Sequence, residues 1–158
     1  MIRIGNAYDT HRLVEGRDLI LGGVKVNYHL GLLGHSDADV VLHAIANAFL
    51  GSLALGDLGT HFPDTADSTL NMDSKVILKE CYKMVLDRGY KLVNMDVMIF
   101  AQDVKINPIR EEIRQNVADI LNVSIDQISI KATTGEHIGY IGRNEGISCE
   151  ATLLIESV

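Results

Sequence analysis

The stretch SDADVVLHAIANAFLG, residues 36–51, carries the pattern of an amphipathic helix that packs against another layer. Its apolar side chains recur at spacings of three and four residues, which is the period of an α-helix. These side chains are Val41, Ala44, Ile45, Ala48 and Phe49. Ser36 precedes them, and a serine hydroxyl accepts hydrogen bonds from the free N–H groups of a first turn. We therefore predict a helix from about Asp37 to Gly51, with Ser36 as its N-cap.

The segments on either side of this helix have the features of strands and further helices. Residues 2–11 predict a strand, and Leu19–Leu21 with Val24–Val26 flank a Gly-Gly pair that is typical of a two-residue hairpin. A long irregular segment, 51–72, follows the helix, and a loop of that length in a compact domain is usually functional. Further elements are predicted as helices at 73–88 and from Asn107-Pro108 onward, and as strands at 93–100, 127–133 and 147–155.

Alternating strands and helices predict the fold class α/β (α+β), with one domain over residues 1–158. The expected architecture is one mixed sheet covered by helices on one face. Along strand 147–155, Ser148, Glu150 and Thr152 alternate with apolar residues, so they belong to the uncovered face. That face must be in contact with water or buried against another subunit, and we therefore expect an oligomer.

The composition excludes several classes of protein. The chain has 158 residues, 47% of them hydrophobic and 22% charged, which is an ordinary balance for a globular domain. Its net charge of -7 and the lack of a basic stripe argue against nucleic acid as a partner. Two cysteines do not make a disulfide framework, and no apolar run reaches membrane-spanning length. We expect no membrane association and a cytoplasmic location.

Asp9 and His11 form a candidate metal-binding pair. They lie two residues apart on a predicted strand, so both side chains leave the same face of the sheet. His43 is the best third ligand, since it shares a polar strip of its helix with Asp39 and Asn47. Two histidines and one aspartate suit zinc, and three protein ligands leave a fourth position open, as in catalytic zinc sites. The alternative is that these are ordinary polar residues at a strand end and on a helix surface.

Two further segments suit anion binding. Gly34-His35-Ser36-Asp37 comes at a predicted helix start, where backbone N–H groups bind anions. Lys131-Ala132-Thr133-Thr134-Gly135-Glu136 runs from a strand into a glycine loop, and its hydroxyls and N–H groups suit phosphate, while Glu136 could hold a hard cation. Taken alone, the first segment is equally well explained by helix capping, and the second by ordinary strand and turn preferences.

Taken in order, these motifs resemble the 2-C-methyl-D-erythritol 2,4-cyclodiphosphate synthase family over essentially the whole chain. The resemblance implies a homotrimer of α/β subunits with active sites between neighbours. The segments that carry it are Arg3-Ile4-Gly5, Asp9-x-His11, Gly22-Gly23, His35-Ser36-Asp37, Leu42-His43-Ala44, Leu55-Gly56-Asp57, Phe62-Pro63-Asp64-Thr65, Lys131-Ala132-Thr133-Thr134 and Gly142-Arg143-x-Glu145-Gly146.

The resemblance also implies roles for individual residues. Asp9, His11 and His43 would hold Zn²⁺, and Glu136 would contact Mg²⁺ or Mn²⁺ through the diphosphate of the substrate. The implied pocket for the erythritol phosphate is lined by His35, Ser36, Asp57, Gly59 and Asp64. The implied site for the cytidine diphosphate part comprises Ala101, Lys105, Ala132, Thr133 and Thr134. Substrate contacts would also include Asp9, His11, Tyr140 and Arg143. The residues implied in catalysis are His35, Asp64, Thr134 and Glu136.

The family reaction closes a ring in 4-diphosphocytidyl-2-C-methyl-D-erythritol 2-phosphate and releases cytidine monophosphate, within the non-mevalonate route to isoprenoids. The family's trimer also encloses an apolar channel that can take an isoprenoid diphosphate, and Tyr8, Tyr140 and Arg143 match its lining. The sequence departs from the family pattern at Asp103-Val104, where Ala-Pro is frequent, and at Gly135, where a third threonine is usual.

Two alternatives remain beside the synthase. A zinc-dependent phosphohydrolase would use the open metal position to bind an attacking water. A trimeric binding module that senses nucleotides or isoprenoid diphosphates would keep the metal for structure only.

Overall fold

A central five-stranded sheet organises the molecule, and its strands lie in the order β4 (Gly31–Leu32), β1 (Ile2–Val14), β7 (Gly146–Ser157), β5 (Tyr90–Phe100) and β6 (Ile128–Thr133). The structure is a computed structural model that describes residues 1–65, 67, 70 and 72–158. A separate two-stranded ribbon is formed by β2 (Leu19–Leu21) and β3 (Val24–Val26). The helices are α1 (Val40–Ser52), α2 (Leu58–His61), α3 (Ser74–Asp87), α4 (Arg110–Leu121) and α5 (Gly139–Gly142).

The sheet is mixed, as predicted. Strand β7 lies between β1 and β5 and is antiparallel to both, whereas β5 and β6 run parallel. The parallel pair needs a crossover connection, and α4 supplies it. In the register of the sheet, Thr10 and Phe100 both pair with Ser148, and Phe100 also pairs with Thr133. The end of β1 and the ends of β5 and β6 therefore lie at the same edge of the sheet.

Helix α1 packs on the covered face of the sheet and forms the centre of the core. All of its predicted apolar positions are fully buried. The helix approaches β1 so closely that a methyl group added to Gly5 would lie 1.9 Å from the carbonyl oxygen of Ala48. Only glycine allows this approach, because any side chain on Gly5 would collide with the backbone of α1.

The opposite face of the sheet carries exposed side chains, and the short helix α5 contacts it through Tyr140, whose hydroxyl lies 2.7 Å from that of Ser148. Along β7, Glu150 is exposed and Thr152 half-buried while Cys149 and Ala151 are buried, as the predicted alternation requires, but Ser148 is buried. Along β1, Ile2, Ile4 and Tyr8 are 66%, 64% and 51% exposed. Apolar side chains this exposed on a regular strand indicate a surface that another protein surface can cover.

The predicted start of the first helix was wrong. Ala38 has a positive φ of 59°, so the chain leaves the helical conformation there, and the N-cap is Asp39 instead of Ser36. The Asp39 carboxylate accepts hydrogen bonds from the N–H groups of Val41 and Leu42 at 3.1 Å each. Asp39 is also fully buried, so it does not belong to an exposed polar strip with His43.

Other boundaries also differ from the predicted ones. Strand β1 continues to Val14 because Leu13 and Val14 pair with β4. The segment from Asn107 begins with a short 3-10 turn before α4. The irregular segment 51–72 contains the short helix α2, and part of it, at residues 66, 68, 69 and 71, lies outside the described residues. Gly22 and Gly23 form the predicted tight hairpin, with positive φ values of 60° and 78°. None of the helices in the described part of the chain has the length and apolar character needed to cross a bilayer.

Candidate metal centre and adjoining cavities

Asp9, His11 and His43 come together where β1 meets α1, as the sequence predicted. The Oδ2 atom of Asp9 lies 3.1 Å from Nε2 of His11 and 3.4 Å from Nδ1 of His43. One ligand atom from each residue lies within 4.8 Å of the other two. The side chains of Asp9, His11 and His43 are 25%, 19% and 13% exposed, so the cluster is partly accessible to a ligand from solvent.

The electrostatics of this cluster favour an ionised carboxylate. Burial alone would raise the pKa of Asp9, but hydrogen bonds and charge interactions with His11 and His43 outweigh it and lower the pKa to about 2. Burial likewise opposes protonation of His11, yet the Asp9 carboxylate, helped by the Leu33 carbonyl and Asp64, raises its pKa overall. A negative oxygen therefore lies between two imidazoles at neutral pH.

The hydrogen bond that His11 makes on the side of its ring away from Asp9 indicates whether the cluster suits a metal ion. Its Nδ1 atom lies 2.8 Å from the carbonyl oxygen of Leu33, and a carbonyl can only accept, so Nδ1 carries a proton. In the neutral ring, Nε2 then presents a lone pair to the Asp9 carboxylate, and two such groups repel unless a cation lies between them. A proton or a metal ion can fill this role, and two imidazole nitrogens with one carboxylate are a ligand set that suits Zn²⁺.

A cavity of about 420 Å³ opens beside the cluster. This volume is in the range of small-molecule sites. Its lining contains most of the residues predicted for the metal and for the erythritol phosphate, namely Asp9, His11, His35, Ser36, His43, Gly59 and Asp64. The remaining lining residues are Leu33, Gly34, Asn47, Leu58, Phe62 and Ile77.

Asp57 is not in this lining. Its carboxylate caps α2 by accepting from the N–H and hydroxyl groups of Thr60, at 3.0 Å each. The structure thus gives Asp57 a local role in the segment that carries Gly59, and its predicted contact with substrate stays a prediction.

Sequence reasoning missed Arg17, which holds the loop that carries His35. Its guanidinium donates to the carbonyl oxygens of Gly34 and Ser36, at 2.9 and 2.6 Å. Arg17 lies between β1 and the hairpin, far from the loop in sequence, so only the folded structure shows this contact.

A second, smaller cavity contains all the residues predicted for the cytidine diphosphate part. It has a volume of about 140 Å³ and is lined by Ala101, Gln102, Val104, Lys105, Ile106, Asn107, Ala132, Thr133 and Thr134. Gln102 was not predicted. Its side-chain oxygen accepts from the N–H groups of Gly135 and His137, at 3.3 and 3.1 Å, and so holds the loop that carries Glu136.

Glu136 and its neighbour His137 both have positive φ values, 52° and 60°. Non-glycine residues rarely adopt this conformation, and pairs of them occur where the surrounding structure imposes it. The Gln102 hydrogen bonds supply that restraint, together with a bond from the Glu136 N–H to the Thr134 hydroxyl at 3.2 Å. Glu136 is exposed at the tip of this loop, outside both cavity linings.

Three residues are predicted to line an isoprenoid channel, and two of them, Tyr8 and Tyr140, meet at the uncovered face of the sheet. The Tyr140 hydroxyl lies 2.7 Å from the buried Ser148 hydroxyl, to which Tyr8 also donates at 2.8 Å. Arg143 is exposed and pairs with Glu145 at 2.6 Å. Asp103, a departure from the family pattern, accepts from the Tyr28 hydroxyl at 3.4 Å.

Comparisons with known proteins agree on one family. The sequence pattern of the YgbB family matches residues 2–156. A 2-C-methyl-D-erythritol 2,4-cyclodiphosphate synthase of Carboxydothermus hydrogenoformans is 53% identical over 158 residues, covering 100% of this chain and 97% of that protein. The IspF–CDP complex of Plasmodium falciparum superposes with a TM-score of 0.87 at 36% identity, covering 99% of this chain and 96% of the other. The bifunctional IspDF of Campylobacter jejuni superposes with a TM-score of 0.96 at 36% identity, over 100% of this chain and 43% of that longer one. A match over nearly the entire chain, together with relatives that share one name at about half identity, shows that this chain belongs to the 2-C-methyl-D-erythritol 2,4-cyclodiphosphate synthase family, enzymes of the non-mevalonate route to isoprenoids.

Proposed function

We propose that this chain converts 4-diphosphocytidyl-2-C-methyl-D-erythritol 2-phosphate to 2-C-methyl-D-erythritol 2,4-cyclodiphosphate and cytidine monophosphate. The observation that carries the proposal is the Asp9–His11–His43 cluster at the wall of a cavity that also contains His35 and Asp64. In the reaction, an oxygen of the 2-phosphate forms a bond to the β-phosphorus. The bond from that phosphorus to the bridging oxygen breaks, and cytidine monophosphate leaves with the electron pair.

The residues of this chain have mainly to align and neutralise phosphates. The attacking group is already an anion, so the reaction needs no strong general base. Asp9, His11 and His43 would hold Zn²⁺, and Glu136 would hold Mg²⁺ or Mn²⁺ through the diphosphate; such ions polarise phosphoryl oxygens and offset their charge. Holding the 2-phosphate in line with the β-phosphorus supplies the remaining catalysis, because the reaction is intramolecular.

The two cavities divide the substrate between them. The larger one, bordered by His35, Ser36 and Gly59, would take the erythritol phosphate, with His35 contacting the phosphate that reacts. The smaller one takes the cytidine diphosphate, where Lys105 provides a positive charge and Thr133 and Thr134 provide hydroxyl groups. The bound ions and Lys105 explain how a chain with a net charge of -7 accepts a polyanion.

We further propose that the active protein is a homotrimer with sites between neighbouring subunits. A cavity of about 140 Å³ is too small to enclose a nucleotide, since ligand sites usually measure about 300–1,000 Å³. The cavities also share no lining residue in the described part of the chain. The exposed Ile2, Ile4 and Tyr8 supply an apolar surface for the contact between subunits. An isoprenoid diphosphate would lie near Tyr140 and Arg143 in the channel of such a trimer.

Incubation of the purified protein with the cytidylyl substrate, Zn²⁺ and Mg²⁺ tests the proposed reaction. Phosphorus NMR should show the cyclic diphosphate together with cytidine monophosphate. A linear phosphate product would instead identify a phosphohydrolase. Unchanged substrate would refute both enzymatic activities and favour the binding module.

His43→Ala tests the metal assignment in the same assay. We expect it to lose zinc and nearly all turnover while its circular dichroism spectrum is unchanged. Retention of zinc at full stoichiometry would refute His43 as a ligand. Glu136→Gln is the companion variant, and it should weaken the dependence on magnesium while the zinc content stays at the wild-type value.

A further inference from the structure

A series of hydrogen bonds leads away from His43 on the side opposite Asp9. The Nε2 atom of His43 lies 2.8 Å from the Ser74 hydroxyl and 3.2 Å from the Ser36 hydroxyl. The Ser74 hydroxyl contacts the Oδ1 atom of Asp37, and the Ser74 N–H donates to Oδ2 of the same carboxylate at 3.0 Å. Ser74 is the first residue of α3 and is fully buried, so water does not compete for these bonds.

The number of protons available shows which group donates in each of these hydrogen bonds. The carboxylate of Asp37 can only accept, so the single proton of the Ser74 hydroxyl points to Oδ1. Ser74 therefore has only lone pairs to offer His43, and Nε2 must be the donor between them. A neutral imidazole with its proton on Nε2 has its lone pair on Nδ1. Nδ1 is the atom that faces Asp9 at 3.4 Å, on the metal side of the ring.

We propose that Asp37 and Ser74 are positioning residues that select the metal-binding tautomer of His43. This inference rests on the proposed function, since it concerns the same metal centre. Ser74 and Asp37 do for His43 what the Leu33 carbonyl does for His11, which is to hold the proton on the nitrogen that faces away from the metal. These hydrogen bonds from Asp37 through Ser74 to His43, here called the relay, also connect the start of α3 to the loop before α1. The relay therefore fixes the orientation of the His43 ring as well as the position of its proton.

Asp37→Ala gives the sharpest test, because it removes the acceptor that fixes the Ser74 proton. In the wild-type protein, Oδ1 of Asp37 accepts from the Ser74 hydroxyl and from the Asp39 N–H, the latter at 3.1 Å, while Oδ2 accepts from the Ser74 N–H at 3.0 Å. An asparagine has one acceptor for these two N–H groups, so its orientation would not report on the Ser74 proton. Without the side chain of Asp37, the Ser74 hydroxyl is free to donate to Nε2 of His43, and the proton of His43 is no longer held on Nε2.

The tautomer can be measured in the zinc-free protein at a pH where the imidazoles are neutral. Long-range proton–nitrogen correlation spectra distinguish the protonated ring nitrogen, and His43→Ala assigns the His43 signals. We expect Nε2–H in the wild-type protein and a shift toward Nδ1–H in Asp37→Ala. An Nδ1–H tautomer in the wild-type protein, or an unchanged tautomer in Asp37→Ala, would overturn the proposal.

Zinc affinity, measured by competition with a chromogenic chelator, provides a second readout. Ser74→Ala should weaken binding about tenfold, the lower end of the range for loss of a hydrogen-bond partner to a metal-ligating histidine, since Ser36 remains near Nε2. Ser74→Thr keeps the hydroxyl and should restore most of the affinity. Ser52→Ala is the matched control, because Ser52 is also buried and its hydroxyl bonds only to the Phe49 carbonyl among the described contacts.

The outcomes separate this inference from the proposed function. If the wild-type protein binds zinc and Ser74→Ala binds it within twofold, the relay is refuted and the metal centre stands. If the wild-type protein binds no zinc, the metal part of the proposed function is refuted, and the tautomer spectra still decide the relay.

Discussion

Gly5→Ala tests how closely β1 and α1 must pack for the metal centre to form. A Cβ atom at this position would lie 1.9 Å from the Ala48 carbonyl oxygen and 2.8 Å from its carbonyl carbon. Carbon and oxygen atoms that are not bonded normally stay more than about 3 Å apart, so α1 must move away from β1 by roughly 1 Å. The colliding atoms of Ala48 belong to the backbone, so they cannot move aside by a change of rotamer as a side chain can.

This movement should affect both stability and metal binding. Overpacking of a core typically costs about 1–3 kcal/mol, and a collision with backbone belongs at the upper end of that range. For a chain of this size, about 3 kcal/mol corresponds to a fall in Tm of roughly 6–12 °C. Because Asp9 and His11 lie on β1 while His43 lies on α1, the same shift should reduce zinc affinity by at least about tenfold.

Gly51→Ala provides the control for this variant. Gly51 lies in α1 as well, but an added Cβ there meets nothing within 4 Å. Replacing a helical glycine by alanine should raise stability by about 0.5–1 kcal/mol, so the same substitution has opposite signs at the two positions. Thermal unfolding at one protein concentration and zinc titration would measure both effects. A Gly5→Ala protein with the stability of the wild type would refute the close packing of β1 against α1.

Three further predictions follow from contacts elsewhere in the molecule. In the zinc-free protein, the pKa of His11 should lie above 6.5, and Asp9→Asn should lower that pKa. Because folding raises this pKa, the His11–Asp9 pair stabilises the folded protein fully below pH 6.5, and this stabilisation is lost as the pH rises through the folded pKa. A His11 titration by NMR that is the same in Asp9→Asn as in the wild type would contradict the prediction. Gln102→Leu leaves two N–H groups of the Glu136 loop without their acceptor and should weaken binding of cytidine diphosphate about tenfold by calorimetry, with zinc content unchanged. Ile4→Glu places a charge on the uncovered face of the sheet and should give a monomer in sedimentation velocity, whereas a trimer of wild-type stability would exclude that face from the interface.

The Asp9–His11 pair of the metal centre could be predicted from the sequence because strand periodicity alone aligns the two side chains. His43 was identified correctly, but the polar strip with Asp39 that supported it does not exist, since Asp39 is buried. The two-residue spacing of Asp9 and His11 places both on one face of any strand, and the structure confirms that they converge with His43. The mixed sheet and the Gly22-Gly23 hairpin were predictable for the same reason, since alternation and turn preferences act locally.

The residues that the sequence did not reveal act across long separations in the chain. Arg17 binds a loop 17 and 19 residues away, and Ser74 lies 31 residues from His43. Gln102 holds a loop 33 to 35 residues away. Each of these contacts is made by an ordinary polar residue whose partner depends on how the elements pack. The predicted start of the first helix was wrong for a related reason. The left-handed conformation of Ala38 and the burial of Asp39 depend on the contact with the hairpin, which is distant in sequence.

Asp39 shows how the fold fixes the metal centre without supplying a ligand. Burial raises its pKa to about 6, and the N–H groups that donate to it oppose this shift and favour the ionised form. Its carboxylate joins the N–H groups of Gly22 and Gly23, at 2.9 and 2.7 Å, to the first turn of α1, one turn before His43. This carboxylate fixes the start of α1, Gly5 fixes its depth against β1, and Asp37 with Ser74 fixes the His43 ring. Since a shift of about 1 Å is enough to disrupt a site of this kind, substitutions at these positions should reduce metal affinity although none of them contacts the ion.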